Sequence, residues 1–265
     1  METLLNRRSV HSFIKADFSP EINDEITDKI KLWDSHACPF QTAPRIQQSS
    51  VLFQSSFLQN PQGFAIGSYF LSNNERAVKQ MSVDLGFKIY CLSIDLIKLG
   101  ICNCICSDID EEKVLKECKK IHTMEFKTPV LLAFGMENKN VGLMQRIKSW
   151  VYRDDKRLEI SETVRVNDNH IGDLKNILEA VRRAPSSGNI QNWRLLVEKN
   201  MVHFYCTSEA VHRYINIGCA LGAFYCAVEN EGFCGKWEIK ENPPDNEGEY
   251  VISWVFIEKK KSNKK

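Results

Sequence analysis

Nowhere in the 265 residues do about 18 apolar residues run without interruption, so no helical membrane span is expected. The opening METLLNRRSV lacks the apolar core of a secretory signal peptide. Low complexity is confined to the end, where Lys259, Lys260, Lys261, Lys264 and Lys265 predict a solvated, disordered tail. A dominant charge of one sign is also missing. The formal net charge is +1, and setting those five lysines aside leaves 30 of the 35 Lys and Arg against 34 Asp and Glu. That balance argues against a basic nucleic-acid-binding surface. With no export signal and no span, the ten cysteines are expected to stay reduced in the cytoplasm.

What is present is ordinary for a globular chain, with 43% apolar and 26% charged residues, enough for one large α/β domain or two small ones. Cys102, Cys104 and Cys106 form a C-x-C-x-C run. Zinc sites space their ligands C-x₂₋₄-C and draw a second pair from elsewhere. No such pair accompanies ICNCIC, which continues an apolar stretch, so packed thiols are expected and no metal. Clustered unpaired thiols leave a redox relay as a subsidiary reading.

Ser19-Pro20-Glu21 starts a helix over about 20–33, with Ile22, Ile26, Ile30 and Trp33 on one face. HACPFQTAPR breaks it, and SVLFQSS and GFAIGSYFL follow as strands. A long helix runs from Asn74 to about Leu99, a small charged helix covers about 110–121, and TPVLLAFG is a buried strand. The second half repeats the order. A helix ends near Arg183, RLLVE and VHFYC form a hairpin, a long helix spans Ser208 to Glu231, and EYVISWVFIEK is the last strand. The expected organisation is a first half at 1–135, a charged linker at 136–168, a second half at 169–258 and the tail at 259–265.

Two short motifs carry chemistry. In Asn6-Arg7-Arg8-Ser9-Val10-His11-Ser12-Phe13, adjacent arginines before a hydroxyl can grip a phosphate bidentately, although alone they also fit an exposed basic N-terminus. In APSSGNIQNW (184–193), the serines, Gly188 and Asn189 can either end a helix or hydrogen-bond a ligand at close range.

Together, R-R-S-V-x-x-F and A-P-S-S-x-N-x-Q-x-W resemble the flavin-dependent nitroreductase family, and more closely its branch with two nitroreductase-like halves fused in one chain. The resemblance extends over most of residues 5–257 and includes TPVLLAFG, KRLEISETV and NIGCALGAFYCAVENEGFCGKW. It implies an α+β fold, an internal pseudo-dimer around two long helices, monomeric in itself, with FMN in a cleft between halves. R-R-S occurs only in the first half and P-S-S-x-N only in the second, so one FMN per chain and one degenerate site follow.

The resemblance further implies that Arg7, Arg8 and Arg157 hold the FMN phosphate and that Ser9 bonds phosphate or ribityl oxygens. Pro185, Ser186, Ser187 and Asn189 would form the flavin-contacting wall, Trp193 would border it, and Gly63 and Gly67 would approach the ring. No catalytic side chain of its own is needed, because NADH or NADPH would reduce the flavin, which then reduces a nitroaromatic, quinone or similar flat acceptor. The chain departs from the family at His11, where Lys or Arg is common near flavin N1. A histidine is only partly charged at neutral pH, so His11 would tune the reduced flavin more weakly and with pH. Asn192 replaces a common proline, and Asp155 replaces a lysine beside Lys156. Alternatives are a flavin sensor or store with little turnover, and a scaffold whose site has decayed.

Overall fold

The computed structural model describes residues 1–49, 58–107, 114, 126–140, 156–167, 174–210 and 212–259. The strand expected at SVLFQSS, nearly all of the helix expected at 110–121, the middle of the linker and residues 260–265 lie outside that set.

After a short helix α1 (Glu2–Leu5), helix α2 (Pro20–Ser35) starts as expected, with Ser19 Oγ accepting from the amide of Ile22 at 3.4 Å and proline in its first turn. Ile26, Ile30 and Trp33 are buried, whereas Ile22, on the first turn, is exposed. Strand β1 (Arg45–Ser49) leads to β2 (Gly63–Phe70), helix α3 (Glu75–Lys98), β3 (Cys102–Cys106) and β4 (Phe126–Gly135). Then come α4 (Ile160–Thr163), β5 (Val164–Val166), α5 (Lys175–Arg182), β6 (Trp193–Glu198), β7 (Met201–Cys206), α6 (Arg213–Asn230), β8 (Phe233–Glu238) and β9 (Glu249–Lys259). The mixture of helix and sheet is of the α+β class.

Four differences from the sequence reading have local causes. Helix α6 begins at Arg213 rather than Ser208, because Ser208 Oγ accepts from the amide of Ala210 in a turn of its own. GFCGKW, given no element in the sequence reading, forms a strand. Gly232, at φ +75, turns the chain, and Phe233–Glu238 pairs antiparallel with β9. Residues 164–166, read as linker, extend the second sheet by pairing parallel with β6. Lys259, read as tail, is the last residue of β9.

The two sheets share a plan. One is ordered β1-β2-β4-β3 and the other β5-β6-β7-β9-β8, so in each a helix, two strands, a long helix and two strands recur with the same neighbours, β5 being extra. Between them cross α3 and α6, whose buried faces extend almost around both helices. The crossing is backbone against backbone. A Cβ on Gly86 would lie 2.2 Å from the carbonyl oxygen of Ile215, and one on Gly218 would lie 2.1 Å from that of Val83. Only glycine permits that approach. Lys88, buried on α3, is satisfied by donating from Nζ to the carbonyls of Asp34 (2.7 Å) and Pro44 (3.0 Å), whereas the buried Tyr90 hydroxyl of the same helix has no partner among the described residues. Among the described residues no helix is long and apolar enough to cross a membrane.

Candidate functional site

The N-terminal segment runs along the free edge of β3. The amide of Val10 donates to Asn103 O at 3.0 Å, and His11 O accepts from the amide of Gln59 at 2.9 Å. This anchoring splits the two arginines. Arg8 turns outward to Glu137, at 2.5 Å, and its side chain remains 59% exposed. Arg7 turns inward and is 6% exposed, its guanidinium carbon 5.9 Å from the centre of the Tyr90 ring on α3. Nε and Nη2 of Arg7 have no hydrogen-bond partner among the described residues. A permanently charged fork buried with two unanswered donors is costly unless an anion meets it.

The loop after α5 holds the other motif. Gly188, Asn189 and Gln191 all adopt left-handed backbone, with φ of 61°, 55° and 47°, which turns the chain tightly between α5 and β6. Its polar groups first build the loop. Ser186 Oγ accepts from the amide of Gln191 (3.0 Å), Asn189 Nδ2 donates to Lys156 O (2.7 Å), and Asn189 Oδ1 accepts from Arg157. Arg157 also donates to Arg183 O at 3.5 Å, and Gln191 Oε1 accepts from the amide of Leu158 at 2.9 Å. Pro185 is buried, whereas Ser187 and Gly188 are exposed.

Two contacts join this loop to the N-terminal side. Arg183 Nη1 donates to Leu5 O at 2.7 Å, and Ser107 Oγ, just past β3, lies 3.4 Å from Ser187 Oγ. Residues far apart in the chain are therefore joined here, and Ser9, in the same N-terminal segment, is half-buried. Trp193 does not border this place, since it is wholly buried in the core. Gly63 and Gly67 face Phe134, Leu85 and Val130, so they serve side-chain packing within the first sheet.

Three residues make contacts here that the sequence reading did not assign. Asn216, a lone buried amide in the apolar first turns of α6, accepts from the amide of Ser187 at 3.0 Å and donates to Asn192 Oδ1 at 3.1 Å. Asn192, in place of proline, donates on to Cys206 and Arg213. The third is Cys104, whose Sγ lies 3.8 Å from His11 Nδ1. Hydrogen bonding from Cys106, then from His11 with its charge and that of Arg7, holds the Cys104 thiol down at about 5, against the opposing effect of burial. Tyr90 and Cys219, which also face Arg7, are pushed up by burial, the latter to about 12.

The profile of the family described as "Putative TM nitroreductase" matches residues 1–228. Among solved structures, a "putative nitroreductase" from Thermotoga maritima is similar over 96% of this chain and 92% of its own, with a TM-score of 0.63 at 15% identity. A nitroreductase family protein from Streptococcus pneumoniae aligns over 61% of this chain and 96% of its own (TM-score 0.46, 12% identity). An FMN-dependent nitroreductase from Clostridium difficile aligns over 52% and 88% (TM-score 0.38, 12% identity). No curated protein matches. At 15% identity, the Thermotoga likeness shows a shared fold.

Proposed function

The chain belongs to this nitroreductase family, and on that premise we propose that it is an FMN-dependent oxidoreductase, driven by NADH or NADPH and reducing flat acceptors such as nitroaromatics or quinones. The observation that carries the reading is Arg7, a buried guanidinium whose Nε and Nη2 lack partners among the described residues. A phosphate monoester fits that planar pair of donors bidentately. Arg157 is held beside the serine loop through Asn189, where it adds positive charge. Ser187 presents an exposed hydroxyl toward Ser107 for a ribityl chain. Arg8, already engaged by Glu137, closes the outer rim.

When bound, FMN supplies the capacity to accept a hydride from a reduced nicotinamide and pass reducing equivalents to the acceptor. The chain's own part is to bind and orient. Arg7 would fix one end of the cofactor, and the left-handed turn at Gly188 and Asn189 would offer it backbone groups.

The matching strand orders support reading the chain as two fused halves, the branch named above. We take it as a cytosolic monomer with one site. The place in the first half equivalent to the serine loop borders a cavity of about 420 Å³ lined by Phe40, Lys79, Tyr214, Ile239 and Glu249. There Lys79 is engaged by Glu249 at 2.8 Å, which leaves it a poor anchor for phosphate. One FMN per chain is therefore expected.

A second reading, a scaffold of the same fold without flavin, draws on the loop bonds that engage Ser186, Asn189 and Arg157 with one another. Titration with FMN separates the two. Micromolar or tighter binding that Arg7→Met weakens by about tenfold or more supports the oxidoreductase, and absence of binding to the wild-type chain supports the scaffold.

A further inference from the structure

The cavity of about 420 Å³ in the first half has walls that flavin chemistry leaves unused. Both long helices begin beside it. The first turns of α3 supply Arg76, Lys79 and Gln80, and the first turn of α6 supplies Tyr214. Phe40 and Tyr250 bring the aromatic walls to three. Hydrogen bonds fix the elements that carry these rings. The amides of Phe40 and Thr42 donate to the two carboxylate oxygens of Asp84, each at 2.9 Å. Tyr214 Oη donates to Glu249 Oε2 at 2.7 Å, and Tyr250 Oη accepts from the amide of Lys240 at 3.0 Å. A cavity of this size, with apolar walls held in place and a few polar groups to one side, has the form of a small-molecule site.

The polar side of the cavity defines its ligand. Lys79 Nζ donates to Glu249 Oε1 at 2.8 Å while Tyr214 takes the other oxygen, so this ammonium and this carboxylate answer each other. Arg76 and Gln80 stand one turn apart on the same face of α3 and both line the cavity. Neither side chain makes a hydrogen bond or ion pair with another described residue. One unanswered cation and one unanswered amide beside three rings match a flat ring that bears a single carboxylate. The guanidinium takes both carboxylate oxygens, and the amide donates a further bond. A phosphate monoester, with close to two negative charges, would also meet Glu75 and Glu249 and is disfavoured. We propose that this cavity binds a small aromatic monocarboxylate, its ring among Phe40, Tyr214 and Tyr250 and its carboxylate on Arg76 and Gln80. The site shares no residue with the place around Arg7 and does not require flavin.

Calorimetric titration of the full chain with 2-naphthoate, with and without excess FMN, tests the proposal. The expected result is a saturable site with a Kd of about 100 µM or tighter, present at the same affinity whether or not FMN is added. Arg76→Gln should weaken it by about tenfold or more, as should exchange of the probe for the neutral 2-naphthamide. Gln80→Leu should weaken it by about threefold or more, and 2-naphthyl phosphate should bind less tightly than 2-naphthoate. Arg76 is exposed, so its variant is expected to fold, which circular dichroism checks. No saturable binding up to millimolar 2-naphthoate, displacement of the probe by FMN, or equal affinity in Arg76→Gln overturns the proposal. Equal binding of the amide, or tighter binding of the phosphate, overturns it as well.

Discussion

The amide of Ser187 donates to Asn216 Oδ1 across 3.0 Å, fastening the serine loop to the first turn of α6. In the first half the amide of Phe40 donates to Asp84 Oδ1 across 2.9 Å, fastening the loop after α2 to the middle of α3. Each half thus ties the loop before its first paired strands to a buried polar side chain on its central helix. Asn216→Ala would leave the Ser187 amide and Asn192 Oδ1 without this partner. A loss of about 1–3 kcal/mol is expected, seen as a lower midpoint in thermal or urea unfolding. FMN affinity should fall with it, because the loop loses its fixed position.

Arg7 and Arg8 should separate cleanly. Arg7→Met replaces a buried, unanswered charge by an apolar chain of similar length, so the flavin-free protein should be as stable as the wild type or more so. FMN affinity should drop by about 10- to 100-fold, the worth of a charge-assisted hydrogen bond or two. Arg8→Ala, removing a largely exposed pair with Glu137, should change affinity by less than about fivefold. Fluorescence titration of FMN against the two variants, alongside urea unfolding, reads both quantities.

Gly86→Ala and Gly218→Ala should each destabilise the chain by about 3 kcal/mol or more, since the added methyl meets backbone that cannot give way without separating α3 from α6. A fall of under about 1 kcal/mol in denaturant unfolding would show that the helices cross less closely.

Glu179 gives the chain a pH dependence with a definite sign. The hydrogen bond from Arg182, the largest effect, together with that from Arg183 holds its carboxyl below the usual range despite the opposing effect of burial. Its contribution is therefore complete above the unfolded value near 4.5 and is lost as pH falls through the lower folded value. The wild type should exceed Glu179→Gln by about 1 kcal/mol at neutral pH, with the gap closing below about pH 4. Unfolding curves at pH 7 and pH 3.5 supply the comparison.

The elements legible in the sequence are those whose signals are local. Ser19-Pro20 opens α2, the apolar stripe from Ala77 to Leu96 marks α3, and Lys199-Asn200 turns the hairpin between β6 and β7. The strands that escaped reading are edge strands. RIQQS of β1 is mostly polar, VRV of β5 is three residues long, and FCGKWE of β8 carries a glycine. Edge strands pair on one side only, bury less and alternate weakly, so their sequences carry a weaker signal. At the site, the motif RRS is visible, but which arginine turns inward depends on the hydrogen bonds that pin Val10 and His11 to their neighbours. Asn216 gave only a faint signal, one amide in an apolar helical turn, and its role emerges only when the loop folds against it.

The central claim, a phosphate-bearing flavin held by Arg7, is tested most directly by the absorption spectrum of the purified chain between about 300 and 550 nm, recorded after incubation with excess FMN and desalting. The account predicts retained flavin at about one per chain, bleached by NADH or NADPH without oxygen, and lost in Arg7→Met. A colourless wild-type chain, or flavin retained equally by Arg7→Met, would contradict it.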